Sequence, residues 1–361
     1  MTCFEPQTIW VKNNLPIDYQ EKTEKEQKQI KKVWFKPYPN TYEVEIPCGR
    51  CLGCRLDHAD MWATRITMEA KGWTKNCFVT LTYNNALDES GKPNLPINQK
   101  GEMTLKKKDL QDFMKRLRYY EKGNQYWESP KNKKLEQPIR YFACGEYGPT
   151  NGRPHYHMAL FNYMPTDLKP YKKNHNGDML YMSPTLQKIW GKGFVIIGHL
   201  TPESASYIAR YVQKKAGIAP KTRHYKYNDI TQTKTIRKRK NSKQEEFIIM
   251  STGVGLGRQY WEENKEFIKK YQYINIRING KVKQKSIPRY FKKLWIKEDW
   301  EDYELKRYEN IKKAIEKRAE ILKNETWDIS FNDETRWILH LKKQESILKA
   351  KAIALKRNNI I

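Results

Sequence analysis

The chain has 361 residues, enough to bury a sizeable core in one large domain with appendages or in two domains. Its 69 Lys and Arg against 41 Asp and Glu give a formal net charge of +28, spread along the chain. This excess indicates a polyanionic partner, with nucleic acid the leading interpretation and an anionic membrane surface the alternative. Runs of about 18 apolar residues and the layout of a signal peptide are both missing, which excludes a membrane-spanning or secreted class and predicts a cytoplasmic location.

Six cysteines suit a compartment in which thiols stay reduced, and Cys48, Cys51 and Cys54 have CxxCxxC spacing. A CxxC pair in such a compartment commonly binds metal, because its thiolates converge on one ion. A tetrahedral zinc site needs a fourth ligand, for which Cys3 and His58 are the nearest candidates. The spacing also begins like a bacterial iron–sulfur run, but no fourth cysteine followed by proline is present. A turn of buried thiols is an equally good interpretation.

Apolar periodicity predicts the order of the regular elements. Strands are predicted at residues 41–46, 77–83, 139–144, 153–161 and 194–197, and helices at residues 56–70, 108–120, 184–190 and 201–215. This order favours an antiparallel sheet with helices packed on it, so we predict an α+β fold. Residues 1–40 are polar and irregular, with a solvated helix predicted at the charge run 21–32.

The strand at residues 153–161 carries two histidines, His155 and His157, which point to the same face because strand side chains alternate. Two imidazoles on one rigid strand can hold one divalent cation. Turn residues at 149–152 join this strand to the preceding one, so a hairpin would bring Glu146 towards the histidines. Such a set leaves coordination positions open, as a catalytic ion requires. Solvent-facing or hydrogen-bonded histidines are the alternative.

The helix at residues 201–215 carries two tyrosines four positions apart, Tyr207 and Tyr211, which therefore share a face. Thr201 is its predicted N-cap, followed by proline at the first helical position. Lys214 and Lys215 follow the second tyrosine. Two phenols beside two lysines are unusual on a helix whose only role is to pack, although one of the tyrosines could lie in the core.

Beyond the tyrosine helix the chain becomes more basic. Residues 221–243 have little to bury and are predicted to form a DNA-contacting arm, with a solvated loop as the alternative. The glycine-rich run at 253–257 matches no nucleotide-binding spacing and predicts a flexible turn before a helix at 259–271. Asn279-Gly280 predicts a type I′ hairpin over residues 273–287, and charged helices follow at 298–323 and 333–356.

Three motifs in this order carry a family resemblance. The strand Phe78–Tyr83, then Pro154–His157, then the helix with Tyr207 and Tyr211 resemble the motifs of HUH endonucleases, the rolling-circle replication initiators. The segments at residues 48–55 and 207–215 resemble, more narrowly, the replication initiation proteins of gokushovirus-like Microviridae, which are small single-stranded DNA phages. The resemblance is strong from Cys48 to Lys215 and thin after Gly257. It implies an HUH endonuclease core at 75–257, between a cysteine-containing region at 1–74 and a basic, helical C-terminal region at 258–361.

By this resemblance, His155, His157 and Glu146 hold a catalytic Mg²⁺ or Mn²⁺ that polarises a phosphoryl oxygen. Tyr207 and Tyr211 are the implied nucleophiles, and Lys214 and Lys215 the catalytic cations, since a phenol with a pKa near ~10 needs positive charge as it ionises. The predicted cysteine site, if it is zinc, uses Cys3, Cys48, Cys51 and Cys54. The predicted DNA-binding residues are Arg153, Arg210, Arg223, Arg237, Lys238 and Arg239.

The implied activity is that of a metal-dependent, site-specific DNA endonuclease and strand-joining transferase. It cuts single-stranded or origin DNA, leaves a 5′-phosphotyrosine and a free 3′-hydroxyl that primes synthesis, and later closes the displaced strand into a circle. Because no Walker motif is present, a host helicase and DNA polymerase are implied partners, in the cytoplasm of a bacterial host.

Two other functions remain open from the sequence. A non-catalytic single-stranded nucleic-acid binder with a zinc module explains the charge and the 23 tyrosines, but it leaves the paired histidines and paired tyrosines unexplained. A single-tyrosine HUH transposase or plasmid initiator does not need the second tyrosine. A covalent, protease-sensitive adduct on single-stranded origin DNA separates the catalytic from the non-catalytic interpretation.

Overall fold

The computed structural model of the protein describes residues 3–12, 41–49, 51–122, 139–148, 151–174, 177–215, 225–228, 233–236, 243–278, 280–324 and 332–358. Contacts divide the chain into two compact units, Met1–Asp57 with Lys306–Ile361 and His58–Leu305. The three-part division at residues 74 and 257 stays a prediction. None of the helices in the described ranges is long and apolar enough to cross a bilayer.

The described strands, in chain order, are β1 (Gln7–Lys12), β2 (Thr41–Ile46), β3 (Asn76–Tyr83), β4 (Arg140–Tyr147), β5 (Pro154–Phe161), β6 (Lys169–Lys173), β7 (Met179–Met182), β8 (Gly193–His199), β9 (Tyr225–Asn228), β10 (Thr233–Ile236), β11 (Phe247–Met250), β12 (Tyr273–Ile278) and β13 (Lys281–Ser286). The described helices are α1 (Leu52–Lys71), α2 (Lys107–Lys122), α3 (Pro184–Trp190), α4 (Pro202–Lys215), α5 (Arg258–Tyr271), α6 (Arg289–Glu298), α7 (Trp300–Asn324) and α8 (Asp333–Asn358).

The larger unit is built on an antiparallel sheet that has seven strands within the described residues, in the order β11-β4-β5-β3-β8-β7-β6. The predicted α+β class with a central antiparallel sheet and flanking helices is confirmed. Alternate residues of β3 are buried, and Val79 and Leu81 pack with the apolar stripe of α2, which includes Phe113. The opposite face packs against α1 and α4 through residues such as Ile66 and Ile208. The sheet therefore has helices on both faces.

β5 shows how this layering positions the histidines. Tyr156, Met158 and Leu160 belong to the core on the α2 face, whereas Ala159 and Phe161 belong to the core on the α1 and α4 face. Because side chains alternate along a strand, His155 and His157 lie on the same face as Ala159 and Phe161. The sheet thus presents the histidines on the side where α4 packs.

The structure contains elements that the apolar pattern does not predict. β1 pairs with β2 in the stretch predicted to be irregular, β6 and β7 extend the sheet at one edge, and α6 precedes the first predicted C-terminal helix. Five consecutive exposed residues in β6 give no alternating signal. Residues 221–243, predicted as an arm or loop, include the β9–β10 pair. The helix predicted at 21–32 lies outside the described residues.

The predicted C-terminal hairpin is present as β12 and β13, with Ile278 paired to Lys281 and a positive φ of 74° at Gly280. Its isoleucines join a separate core formed with α5 and α6, including Ile274, Ile276, Trp261 and Phe291. In the smaller unit, α7 and α8 meet where Arg336 Nη2 donates to the carbonyl of Leu322 at 2.5 Å.

The glycine-rich run at 253–257 is a turn before α5, as predicted, but charged side chains hold it. Arg140 Nη2 donates to Val254 O at 2.8 Å, and Arg65 Nε donates to Leu256 O at 3.2 Å. Glu69 accepts from the backbone N–H of Gly257 at 2.6 Å and from Arg140 Nε at 2.5 Å. A Cβ at Gly255 would overlap the ring of Tyr290. The glycines thus permit close backbone approach, and the interpretation as a flexible turn is wrong.

We expect Glu69→Ala to lower the free energy of unfolding by about 3–5 kcal/mol, because it leaves the buried Arg140 guanidinium without its carboxylate. Urea unfolding monitored by circular dichroism measures this change. Asp57→Ala, at an exposed position of the same helix, is the matched control and should change stability by less than about 0.5 kcal/mol. Equal effects in both variants would contradict a structural role for the Glu69–Arg140 pair.

Candidate metal centres and nucleophile

The predicted hairpin of β4 and β5 aligns Glu146 with His155 and Cys144 with His157. Glu146 Oε1 lies 2.6 Å from His155 Nε2 and 2.7 Å from His157 Nε2. One carboxylate oxygen and two imidazole nitrogens therefore converge on one point. Nitrogen and carboxylate oxygen are both ligands of divalent ions such as Mn²⁺. The residues present fit a metal ion held by the three predicted side chains.

The outer nitrogens of the two rings support the same interpretation. His155 Nδ1 lies 3.1 Å from the carbonyl oxygen of Arg153, which can only accept, and its Nε2 faces the Glu146 carboxylate, which when ionised can also only accept. A neutral imidazole has one N–H and can satisfy one of these partners. A cation between Nε2 and the carboxylate satisfies both, because Nδ1–H then donates to the carbonyl while Nε2 offers its lone pair.

His157 is held in the same way from the neighbouring strand. Its Nδ1 lies 3.0 Å from Thr80 Oγ1 of β3, the residue paired with it across the sheet. Burial lowers the pKa of His157, against the opposing effect of Glu146, so the ring remains neutral at lower pH than an exposed histidine. A neutral ring is the form that coordinates a metal ion.

Helix α4 brings Tyr207 to this group of residues. Its hydroxyl lies 3.5 Å from His157 Nε2, and the two rings meet edge to face with centroids 5.1 Å apart. Phe78 of β3 stacks on His157 at 5.7 Å and contacts the Tyr207 ring at 6.1 Å. The half-buried Tyr207 is thus oriented by two aromatic contacts, with its hydroxyl next to the candidate metal ligands.

The start of α4 follows the predicted capping pattern. The backbone N–H of Ser204 donates to Thr201 Oγ1 at 3.3 Å, while Ser204 Oγ accepts from the backbone N–H of Thr201 at 2.8 Å. This reciprocal cap fixes where the helix begins, and the helical repeat then sets the direction of Tyr207.

The other predicted site residues differ in what the structure describes. Arg210 is exposed on α4, whereas Arg153 donates to Tyr83 O at 3.1 Å and to Asn85 Oδ1 at 2.6 Å, which ties the start of β5 to the end of β3. Tyr211, Lys214 and Lys215 belong to α4, but their side chains lie outside the described part. Arg223, Arg237, Lys238 and Arg239 also lie outside the described residues. All of these roles stay predictions.

Thr80 and Phe78 are site residues that the sequence analysis missed. A signal was available, because positions 78, 80 and 82 alternate with the buried residues of β3 and so share one face. The pairing of β3 with β5, which aligns Thr80 with His157, is the information that the sequence lacks.

The smaller unit contains a second candidate metal centre, formed by Cys3, Cys48, Cys51 and Cys54. The Sγ atoms of Cys48 and Cys54 lie 4.0 Å apart, and those of Cys51 and Cys3 lie 3.9 Å apart. All four cysteines are free thiols. His58, the other candidate ligand, instead accepts a hydrogen bond from Trp62 Nε1 at 3.3 Å through its Nε2.

Backbone N–H groups point at the sulfurs of this cluster. Cys48 N–H donates to Cys3 Sγ at 3.2 Å, Cys51 N–H to Cys48 Sγ at 3.3 Å, and Phe4 N–H to Cys51 Sγ at 3.3 Å. Burial alone would raise the pKa of Cys51, but the N–H groups of Cys54 and Phe4 bring it down to about 7. These bonds stabilise thiolates, the form in which cysteine binds metal.

Comparison with known proteins follows the same pattern. Residues 76–216 match the family model described as that of the replication-associated protein ORF2. The replication-associated protein ORF2 of Spiroplasma virus 4 is 31% identical over 335 residues, which cover 88% of this chain and 93% of the relative. The chain belongs to this family of replication-associated proteins.

Two further family relatives come from other phages. The replication-associated protein VP4 of Bdellovibrio phage phiMH2K is 34% identical over 47% of this chain and 48% of the relative. The replication-associated protein ORF4 of Chlamydia phage 1 is 26% identical over 73% of this chain and 56% of the relative. No solved structure matches the chain. The resemblance to phage replication proteins is therefore confirmed at the level of the family.

Proposed function

We propose that this replication-associated protein is an HUH-type initiator of phage DNA replication that nicks one strand of origin DNA with a tyrosine nucleophile. The observation that carries the proposal is the position of the Tyr207 hydroxyl, 3.5 Å from Nε2 of His157, beside the convergence of Glu146, His155 and His157. A nucleophile next to a set of metal ligands is the arrangement that phosphoryl transfer requires.

In this proposal His155, His157 and Glu146 hold Mg²⁺ or Mn²⁺. When bound, the ion supplies a Lewis acid that neutralises charge on a phosphoryl oxygen. Thr80 and the Arg153 carbonyl orient the two rings through their Nδ1 atoms, so that both Nε2 lone pairs face the carboxylate. Phe78 keeps His157 and Tyr207 in contact.

Cleavage then proceeds by attack of a tyrosine oxygen on the scissile phosphorus. The phenol loses its proton, the new Tyr–O–P bond forms at the 5′ end, and the P–O3′ bond breaks to leave a 3′-hydroxyl that takes up a proton. Positive charge from Arg210, Lys214 and Lys215 would favour the phenolate. Because the phosphoester is retained, a 3′-hydroxyl can later reverse the reaction without ATP.

A second tyrosine, Tyr211, would cut the regenerated origin while the first strand end is still attached. The released 3′-hydroxyl then attacks the first phosphotyrosine and closes a circle. The host would supply the helicase and polymerase, since the sequence has no Walker motif, and the reaction would take place in the host cytoplasm. Arg153, Arg223, Arg237, Lys238 and Arg239 remain the proposed DNA contacts.

The test of this function is covalent attachment. Purified protein and a single-stranded origin oligonucleotide labelled at its 3′ end should, with Mn²⁺, give a labelled species that survives denaturing electrophoresis and disappears on protease treatment. A label at the 5′ end should instead stay on the released fragment. Binding of DNA with no covalent product under these conditions would support the non-catalytic alternative.

We further propose that the cysteine cluster holds a structural zinc ion with Cys3 as the fourth ligand. Four thiolates at Zn–S distances of about 2.3 Å in a tetrahedron have sulfurs about 3.8 Å apart. The observed separations of 3.9 and 4.0 Å are close to this value. Closed Cys₄ coordination is typical of structural rather than catalytic zinc.

We expect purified protein to contain about one zinc per chain, and Cys51→Ser or Cys3→Ser to lose it. The N-terminal segment should then be cleaved more readily by proteases, while the sheet of the larger unit stays intact. Elemental analysis measures the metal, and Cys144→Ala, a buried thiol on β4, is the control that should retain it. Neither zinc nor iron in the wild type would favour the buried-thiol interpretation, and iron with acid-labile sulfide would favour a cluster.

A further inference from the structure

A surface outside residues 76–216 has the chemistry of a single-strand binding platform. Phe267 and Tyr271 lie one turn apart on α5, and Tyr273 begins β12. Phe267 and Tyr271 are 41% and 47% exposed. Their ring centroids are 4.7 Å apart, and the ring of Tyr273 lies 5.7 Å from Phe267 and 6.1 Å from Tyr271. Three aromatic rings thus form one cluster that solvent reaches, which we call the aromatic platform.

The surroundings of the aromatic platform are positively charged. Lys270 Nζ lies 5.2 Å from the Tyr271 ring centroid, and the exposed Arg277 lies on the same face of β12 as Tyr273, because the intervening residues alternate with the buried Ile274 and Ile276. Between Glu266 and Glu298 the chain has ten Lys and Arg and no Asp or Glu. This charge favours a polyanion over an apolar protein partner. It also opposes pairing with the same surface of a second copy.

The position of the aromatic platform links it to the candidate site. β12 lies in contact with α4, the helix that carries Tyr207, within the larger unit. A strand extending from the nucleophile can therefore reach a surface on the same compact unit. Exposed rings accept any base, because every base offers a π face, and cations beside them contact the phosphates.

We propose that the aromatic platform binds single-stranded DNA, with bases stacked on Phe267 and Tyr271 and the backbone contacted by Lys270 and Arg277. The binding is independent of sequence and holds the strand that flanks the cleavage site. This inference rests on the proposed role in handling single-stranded DNA, but it concerns binding and not cleavage.

The test measures affinity for a fluorescent oligo(dT) 20-mer by anisotropy, without divalent metal, using the full chain. Phe267→Ala with Tyr271→Ala should weaken binding by about tenfold for each ring lost. Phe267→Tyr with Tyr271→Phe keeps two stacking surfaces and should retain wild-type affinity. Tyr119→Ala with Tyr120→Ala removes two exposed tyrosines from α2 and should have no effect. Circular dichroism verifies that each variant is folded.

Salt dependence separates the charged residues from the rings. Lys270→Gln with Arg277→Gln should reduce the slope of log affinity against log salt by about 0.7 for each charge, whereas the ring variants should leave the slope unchanged. Affinity within twofold of wild type for the double alanine variant would overturn the proposal. So would a change in oligomeric state with unaltered DNA affinity, which would assign the rings to a protein contact. If no covalent adduct forms in the cleavage assay while these binding losses occur, the proposed nicking fails and the platform stands.

Discussion

His157→Ala is expected to abolish strand cleavage while leaving most of the affinity for DNA. It removes a ligand whose Nε2 lies 2.7 Å from the Glu146 carboxylate. Loss of a Lewis acid worth several kcal/mol corresponds to a rate decrease of about 10²–10⁴-fold. Binding should change little, because phosphate contacts by Lys and Arg dominate affinity. Adduct formation in the presence of Mn²⁺ measures the rate, and anisotropy measures binding. His155→Ala should behave in the same way.

Graded variants make this result diagnostic of a metal site. Thr80→Val keeps the shape of the side chain but removes the Oγ1 that lies 3.0 Å from His157 Nδ1, so we expect a 10–100-fold higher Mn²⁺ requirement with cleavage restored at high metal concentration. His199→Ala, at an exposed position on β8, should cleave normally. Glu146→Gln tests the carboxylate. Cleavage by the His157→Ala variant with metal chelated would contradict the metal-site interpretation.

The double variant Tyr207→Phe with Tyr211→Phe is expected to form no covalent adduct, while each single variant still makes one on a short oligonucleotide. Phenylalanine keeps the ring contacts of residue 207 with His157 and Phe78 but removes the attacking oxygen. Lost activity would therefore report chemistry and not unfolding. Each single variant should fail to convert long products into closed circles, since circle closure needs a second cut.

The spacing of the two tyrosines is the physical basis of this expectation. A helix turns about 100° per residue, so residues four apart return almost to the same face and both hydroxyls can approach one phosphate. Peptide mass spectrometry of the adduct identifies the attached residue, and Tyr171→Phe, on the exposed β6 strand, is the matched control. A DNA-linked peptide that never contains residue 211, even in the Tyr207→Phe variant, would make this a single-tyrosine enzyme.

The sequence by itself determined the features that depend on local geometry. The alternation in β5 placed His155 and His157 on one face, the turn residues at 149–152 predicted the β4–β5 hairpin, and Asn279-Gly280 predicted the β12–β13 hairpin. These properties follow from residues a few positions apart, because strand and helix periodicity and turn chemistry act over that range. The α+β class followed from the order of such elements.

Only the tertiary structure decided which distant residues meet. It brought Cys3 to the CxxCxxC cluster, Thr80 to His157, and Glu69 to Arg140 and the glycine-rich turn. These partners are separated by 45 to 188 positions for the bonds between them. Many alternative partners of the same residue type exist at such separations, and the pairing of whole strands and the packing of helices on the sheet select among them. Local periodicity therefore predicts the face on which a side chain lies, while the fold determines what it contacts.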